Sequence, residues 1–193
     1  MRLVPLLATA AASAVLVGGL AAPASAATQN RTDQAGDATT FPSDFSTAQD
    51  SADIRTLRGV HGDGALVFTF TVADLIAPGI DNSVNATVRI QTPNERDYLA
   101  NLNFGEGQKS LSLVSNEQQV ACDGLTGRAV AAQDRLVISV PRSCVRNPRE
   151  VVFGGQTSMF VTFGTGGGQA SDDARRNREL GEIKLGTVAL KNN

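Results

Sequence analysis

Five aspartates, Asp33, Asp37, Asp53, Asp172 and Asp173, are the residues of this chain best placed to do chemistry. Carboxylate oxygens are hard ligands, and calcium gathers about six to eight such oxygens. Asp33 and Asp37 flank Gly36, Asp53 heads an alternating segment, and Asp172 and Asp173 are adjacent far along the chain. The segments around them hold few apolar residues, so a shared cation would tie them down. Crowded carboxylates without a counter-ion repel one another. The calcium reading therefore requires the two distant groups to meet at one edge of the domain. Their spacing does not match an EF-hand loop. The competing explanation is that they are solvated turn formers.

Other chemistry has less support. His61 is the only histidine, and no G-x-S-x-G elbow is present, so a Ser-His-Asp triad has little to build on. Its neighbours Gly62-Asp63-Gly64 mark it as a strand-end residue. A conventional zinc site needs several His or Cys ligands, which the chain does not supply. The six glutamates fall mostly in turns and charged loops, where solvation explains them better than a glycosidase pair does. Arg142, Arg146 and Arg149, and then Arg175, Arg176 and Arg178, form two basic clusters that could meet an anionic polymer. Trp is absent, Tyr98 is the only tyrosine, and the eight Phe fall mostly at strand positions. That weakens a sugar-stacking site and leaves hydrogen-bonding sites open. The chain reads as a non-enzyme that needs no cofactor, calcium aside.

The elements that position these residues begin after residue 26. Arg2, the uncharged run Leu3–Leu20 and Ala22-Pro23-Ala24-Ser25-Ala26 form the three parts of a secretory signal peptide, with cleavage after Ala26. Pro5, Gly18-Gly19 and the lack of a following basic cluster argue against a membrane anchor. We therefore read 1–26 as signal peptide and 27–193 as a single domain, secreted and extracellular, with no membrane span. Cleavage removes one of the 17 basic residues and leaves all 19 acidic ones, a net charge of −3. That balance argues against a nucleic-acid partner, which would need a basic face.

In an exported chain the two cysteines, Cys122 and Cys144, read as one disulfide. Their midpoint lies in Ala132-Gln133-Asp134, between two alternating segments. A hairpin folding there brings both cysteines to its open end.

The periodicity elsewhere is two. Leu66, Phe68, Phe70 and Val72 alternate with polar or small residues, as do Val84–Ile90 and Tyr98–Phe104. Leu111 and Leu113 follow, then Leu136, Ile138 and Val140. We read further strands at Val151–Phe153, Met159–Phe163 and Ile183–Leu190, and a turn of helix near Val72–Ile76. Ala27–Ser51 and Gly164–Asn177 read as irregular, the second as a mobile loop. Many short strands separated by Gly, Pro and Asn turns predict an all-β, antiparallel β-sandwich, jelly-roll-like, with one disulfide.

Several of these residues carry a resemblance. Asp33, Gly36 and Asp37 are followed by Asp53-Ile54 and Val60-His61. The block Cys122-Asp123-Gly124-Leu125 to Val140-Pro141-Arg142-Ser143-Cys144 and Asp172-Asp173-Ala174 complete the pattern. The chain resembles a family of secreted actinobacterial β-sandwich proteins; Ala52 stands where that pattern has Gly. The resemblance implies the fold and no activity. The function expected is a secreted non-catalytic domain binding an envelope polymer or another secreted protein. The alternative is a structural protein without a small ligand, stabilised by calcium, and a hydrolase comes a distant third.

Overall fold

Alternating apolar side chains build two antiparallel sheets in this computed structural model, which describes residues 26–41, 48–105, 107–163, 166–176 and 181–191. The first sheet contains β1 (Ala27–Thr32), β3 (Ile54–His61), β4 (Ala65–Val72), β9 (Thr126–Val130) and β10 (Arg135–Pro141), in the order β1-β3-β4-β10-β9. The second contains β2 (Thr39–Phe41), β5 (Asn82–Gln91), β6 (Asp97–Gly105) and β7 (Gln108–Ser115). It also holds β8 (Gln118–Gln119), β11 (Glu150–Phe163) and β12 (Gly166–Asp173), in the order β2-β12-β11-β5-β6-β7-β8. A short β13 (Leu190–Lys191) pairs with the start of β11. The one α-helix among the described residues, α1 (Gln49–Ala52), packs against β11 and β12.

The sheets face each other across one core. From the first sheet come Leu57, Leu66, Phe68, Phe70, Leu136 and Ile138, all fully buried; from the second come Ala86, Val88, Ile90, Leu102, Phe153 and Met159. Phe68 and Phe153 meet with ring centroids 5.2 Å apart. The β9–β10 hairpin turns through a 3-10 turn at Ala131–Gln133, with Asp134 left-handed. At its open end Cys122 and Cys144 are bonded, with Cα atoms 5.3 Å apart. The all-β class, the antiparallel packing and the disulfide are those expected from the sequence.

Four expectations about elements need correction. Ala27–Ser51 is not wholly irregular, because β1 pairs with β3 along its length and β2 pairs with β12. Gly164–Asn177 is not a mobile loop over its described part, because β12 pairs with β11 on one side and β2 on the other. Ile183–Leu190 is not a strand; only Leu190–Lys191 joins a ladder. The helical turn lies at α1 rather than at Val72–Ile76, where Ser51 Oγ accepts from the Ile76 amide and donates to the Asp74 carbonyl. The signal peptide read over 1–26 lies outside the described residues, Ala26 excepted.

The two segments read as separate strands around Gly154-Gly155 form one strand of 14 residues. The glycines are there for clearance rather than for a turn. A Cβ on Gly155 would lie 2.6 Å from the Phe70 ring and 2.9 Å from Leu57, both buried. A Cβ on Gly154 would meet the Lys184 carbonyl. Gly155→Ala should therefore destabilise the fold by about 1–3 kcal/mol, the usual range for overpacking a tight core. Urea unfolding would measure it, and an unchanged midpoint would contradict the close approach.

Candidate metal centre

The acidic residues are brought together by the elements around them. β1 ends at Thr32, and the Asp33 amide donates to the Arg55 carbonyl at 3.1 Å. The chain then turns. Asp33 Oδ1 accepts the Gln34 amide at 2.9 Å, and Gly36 adopts a positive φ of 75° that a side chain would resist. The turn drives Asp37 inside, where it is fully buried. On the facing side α1 ends with the Asp53 amide bonded to the Gln49 carbonyl at 2.8 Å. The register of β3 on β4 shifts between Ile54 and Thr56, leaving Arg55 as the extra residue. Its guanidinium lies 3.0 Å from Asp53 Oδ2, which also accepts the Gly36 amide at 2.9 Å. Asp172 reaches the corner from β12, with Oδ2 accepting the Ile54 amide at 2.7 Å.

One carboxylate oxygen from each of Asp33, Asp37 and Asp172 lies within 4.8 Å of the others. Ligands at calcium's usual 2.3–2.6 Å can lie at most about 5 Å apart, so a single ion can reach all three. Asp53 borders the group: its side chain is fully buried, and its Oδ1 makes no hydrogen bond. Asp33 Oδ2 is likewise buried without a hydrogen bond.

Asp173 does not join them. Strand neighbours point to opposite faces, and its carboxylate accepts the Arg175 amide at 3.0 Å and the Lys184 amide at 3.1 Å. It serves as a backbone clamp for the segment that crosses Gly154. Its charge nevertheless reaches Asp33.

The electrostatics mark the corner as strained for anions. Burial pushes the Asp172 carboxyl up to about 8. The Ile54 amide opposes that rise, while Asp33, Asp37 and Asp53 reinforce it. Burial likewise pushes Asp33 up to about 6, against the Gln34 amide and with the charges of Asp37 and Asp173. Asp173 is also raised, first by burial. Without a cation Asp172 holds a proton at neutral pH; a divalent ion could take its place.

The remaining candidates have structural partners. His61 is fully buried, and its Nδ1 lies 3.1 Å from the Leu190 carbonyl. Burial lowers its pKa, so the ring stays neutral. Arg142 donates to the Asp63 and Pro148 carbonyls, Arg176 to the Glu182 carbonyl, and Glu150 pairs with Lys191. Arg178 lies outside the described residues.

The sequence reading missed the amides of Gly36 and Ile54 and the Arg55 guanidinium. Gly36, set between two aspartates, was the available signal for the first. Nothing in the local pattern marks the bulge that turns Arg55 toward Asp53. No family model, curated protein or solved structure matches this chain.

Proposed function

We propose that this chain is an exported, non-catalytic β-sandwich whose acidic corner takes a calcium ion, and that the domain works by binding an envelope polymer or another secreted protein. The observation that carries the calcium reading is the cluster of oxygens from Asp33, Asp37 and Asp172, with Asp53 Oδ1 buried beside it and lacking a hydrogen bond. The ion would link the N-terminal segment to β12. Asp33, Asp37 and Asp172 would ligate it, with Asp53 at the rim. The export reading is supported by the disulfide, and no helix among the described residues is long and apolar enough to cross a membrane. The non-catalytic reading is supported by the burial of His61 against a backbone carbonyl.

The test is a thermal melt in millimolar calcium and in chelator. A ligand that binds only the folded state stabilises it by RT ln(1 + [L]/Kd), about 2.7 kcal/mol at a hundredfold excess over Kd. The wild-type midpoint should rise with calcium, and Asp37→Asn should abolish the rise. A wild-type midpoint that ignores calcium would leave the aspartates as proton-sharing buried acids.

A further inference from the structure

We propose that the outer face of the sheet carrying β2, β12, β11, β5, β6 and β7 binds a neutral polysaccharide chain. The proposal deepens the reading of an extracellular binding domain, and it does not rest on the calcium site.

With Ala86, Val88, Ala100, Leu102 and Met159 buried, the alternate residues of the same strands form the outer face. Register places Thr39, Ser171, Ser158, Asn85, Asn103 and Ser110 in one row across six strands, of which Ser171 is itself buried. The next row holds Gln156, Thr87, Asn101 and Ser112. Both rows consist of amides and hydroxyls, with no charge from β11 to β7. At the usual strand spacing of about 4.8 Å the uninterrupted part of the first row, from Ser158 to Ser110, spans about 14 Å, the length of a few sugar units.

The rows are partly pre-arranged. Thr87 Oγ1 donates to Asn101 Oδ1 at 2.8 Å, and Asn101 Nδ2 donates to Ser112 Oγ at 3.4 Å. Ser171 Oγ donates to Ser158 Oγ at 2.9 Å. The side chains of Asn103, Ser110 and Gln156 make no hydrogen bond among the described residues, so their donors and acceptors remain for a ligand.

A third row supplies the apolar part. Phe41, Gln169 and Phe160 lie side by side on β2, β12 and β11. Phe41 is 80% exposed and Phe160 42%. With Thr162, Gly167 and Gly168 they line a hollow of about 260 Å³.

A sugar ring presents hydroxyls that both donate and accept, and an apolar C–H face. The amide and hydroxyl rows suit the first, and the two Phe rings suit the second. The charges at the margins are already engaged. Arg89 pairs with Asp97 and Glu182, and Asp173 accepts two backbone amides. A nucleic acid would need a basic surface, and a protein partner would want a central apolar anchor. An anionic polymer would prefer the opposite side of the molecule. There the exposed Arg58 and Arg128 lie in one row across β3, β4, β10 and β9.

The experiment is native affinity electrophoresis of the disulfide-intact protein in gels containing soluble β-glucan, xylan or mannan, with polygalacturonate as the anionic probe. At least one neutral polymer should retard the protein, and 0.5 M salt in a parallel solution assay should leave the affinity unchanged. Phe160→Ala should weaken binding about tenfold, Phe160→Tyr should retain it, and Asn103→Asp should weaken it. All three substitutions are on the surface, and an unchanged melting temperature would separate lost binding from lost fold. Retardation by none of the neutral polymers, or by polygalacturonate alone, overturns the proposal. So does wild-type binding by both Phe160→Ala and Asn103→Asp. A dimer that forms with rising concentration and is broken by the same substitutions would assign the face to a second copy, and would also overturn it. The calcium melt is unaffected by any of these results, so the two readings fail separately.

Discussion

Replacing both cysteines with serine should lower the melting temperature by about 10 °C while leaving the β-rich circular dichroism of the cold protein intact. Cys122 and Cys144 are 22 residues apart, and closing a loop of that length restricts the unfolded chain by roughly 3–4 kcal/mol. For a domain of this size each kcal/mol shifts the midpoint by about 2–4 °C. The location of the bridge decides the form of the loss. β9 is the edge of its sheet and pairs only with β10, from Thr126 to Val130. Cys122 precedes it, and Cys144 lies in the 3-10 turn after β10, with both sulfur-bearing side chains packed against the core. The bridge thus holds the outermost strand at the end where its ladder stops. Its removal should let β9 fray while β4 and β10, which pair over seven positions, remain. Hydrogen exchange should show faster exchange confined to β9 and its flanks. Both cysteines labelled as free thiols in the native protein, or a midpoint that does not move, would contradict this account.

The parts of the fold legible in the sequence are those where one face of a strand is apolar. β4, β5, β6 and β10 alternate because each lays one side on the core and the other toward solvent. The hairpin and its disulfide were legible for the same reason, since two alternating runs share a turn. β12 was not, because Gly166-Gly167-Gly168-Gln169 offers no period. It is a strand because β11 and β2 bond it from both sides, a fact that belongs to distant residues. β1 escaped notice as a polar edge strand with little to bury. Gly154-Gly155 looked like a break and is instead the place where Phe70 and the Lys184 backbone come close. At the acidic corner, residue type singled out aspartates of which the fold brings Asp33, Asp37 and Asp172 together, and alternation along β12 could have put Asp172 and Asp173 on opposite faces had that strand been recognised.

In chelator, stability should fall as pH rises from about 6.5 to 8, and calcium should suppress the fall. The sign follows from Asp172. Its folded carboxyl titrates at about 8, because burial and the neighbouring aspartates disfavour its charge, while the ordinary value is 3.8. Between those values the native state binds a proton that the unfolded state has released, so raising the pH favours unfolding. Over the whole interval from 3.8 to about 8 the loss has an upper bound of about 6 kcal/mol, since each tenfold change in proton affinity is worth about 1.4 kcal/mol, and the window from pH 6.5 to 8 accounts for at most about 2 kcal/mol of it. Asp33, raised to about 6, adds to the fall below pH 6.5. There it is opposed by His61, whose lowered pKa makes the native state bind fewer protons than the unfolded one and so adds stability as the pH rises. That opposition fades above the ordinary histidine value of 6.5, which makes the higher window the clean one. A cation replaces the proton and interacts with the charged carboxylates, so its apparent affinity should increase with pH. The gap between calcium and chelator melts should therefore widen from pH 6.5 to 8. Asp172→Asn keeps the shape without the titrating proton, and it should flatten the chelator profile and remove the calcium gap together. A wild-type profile in chelator that stays level or rises across this window would mean that Asp172 is charged throughout, and the corner would then need some other source of compensation.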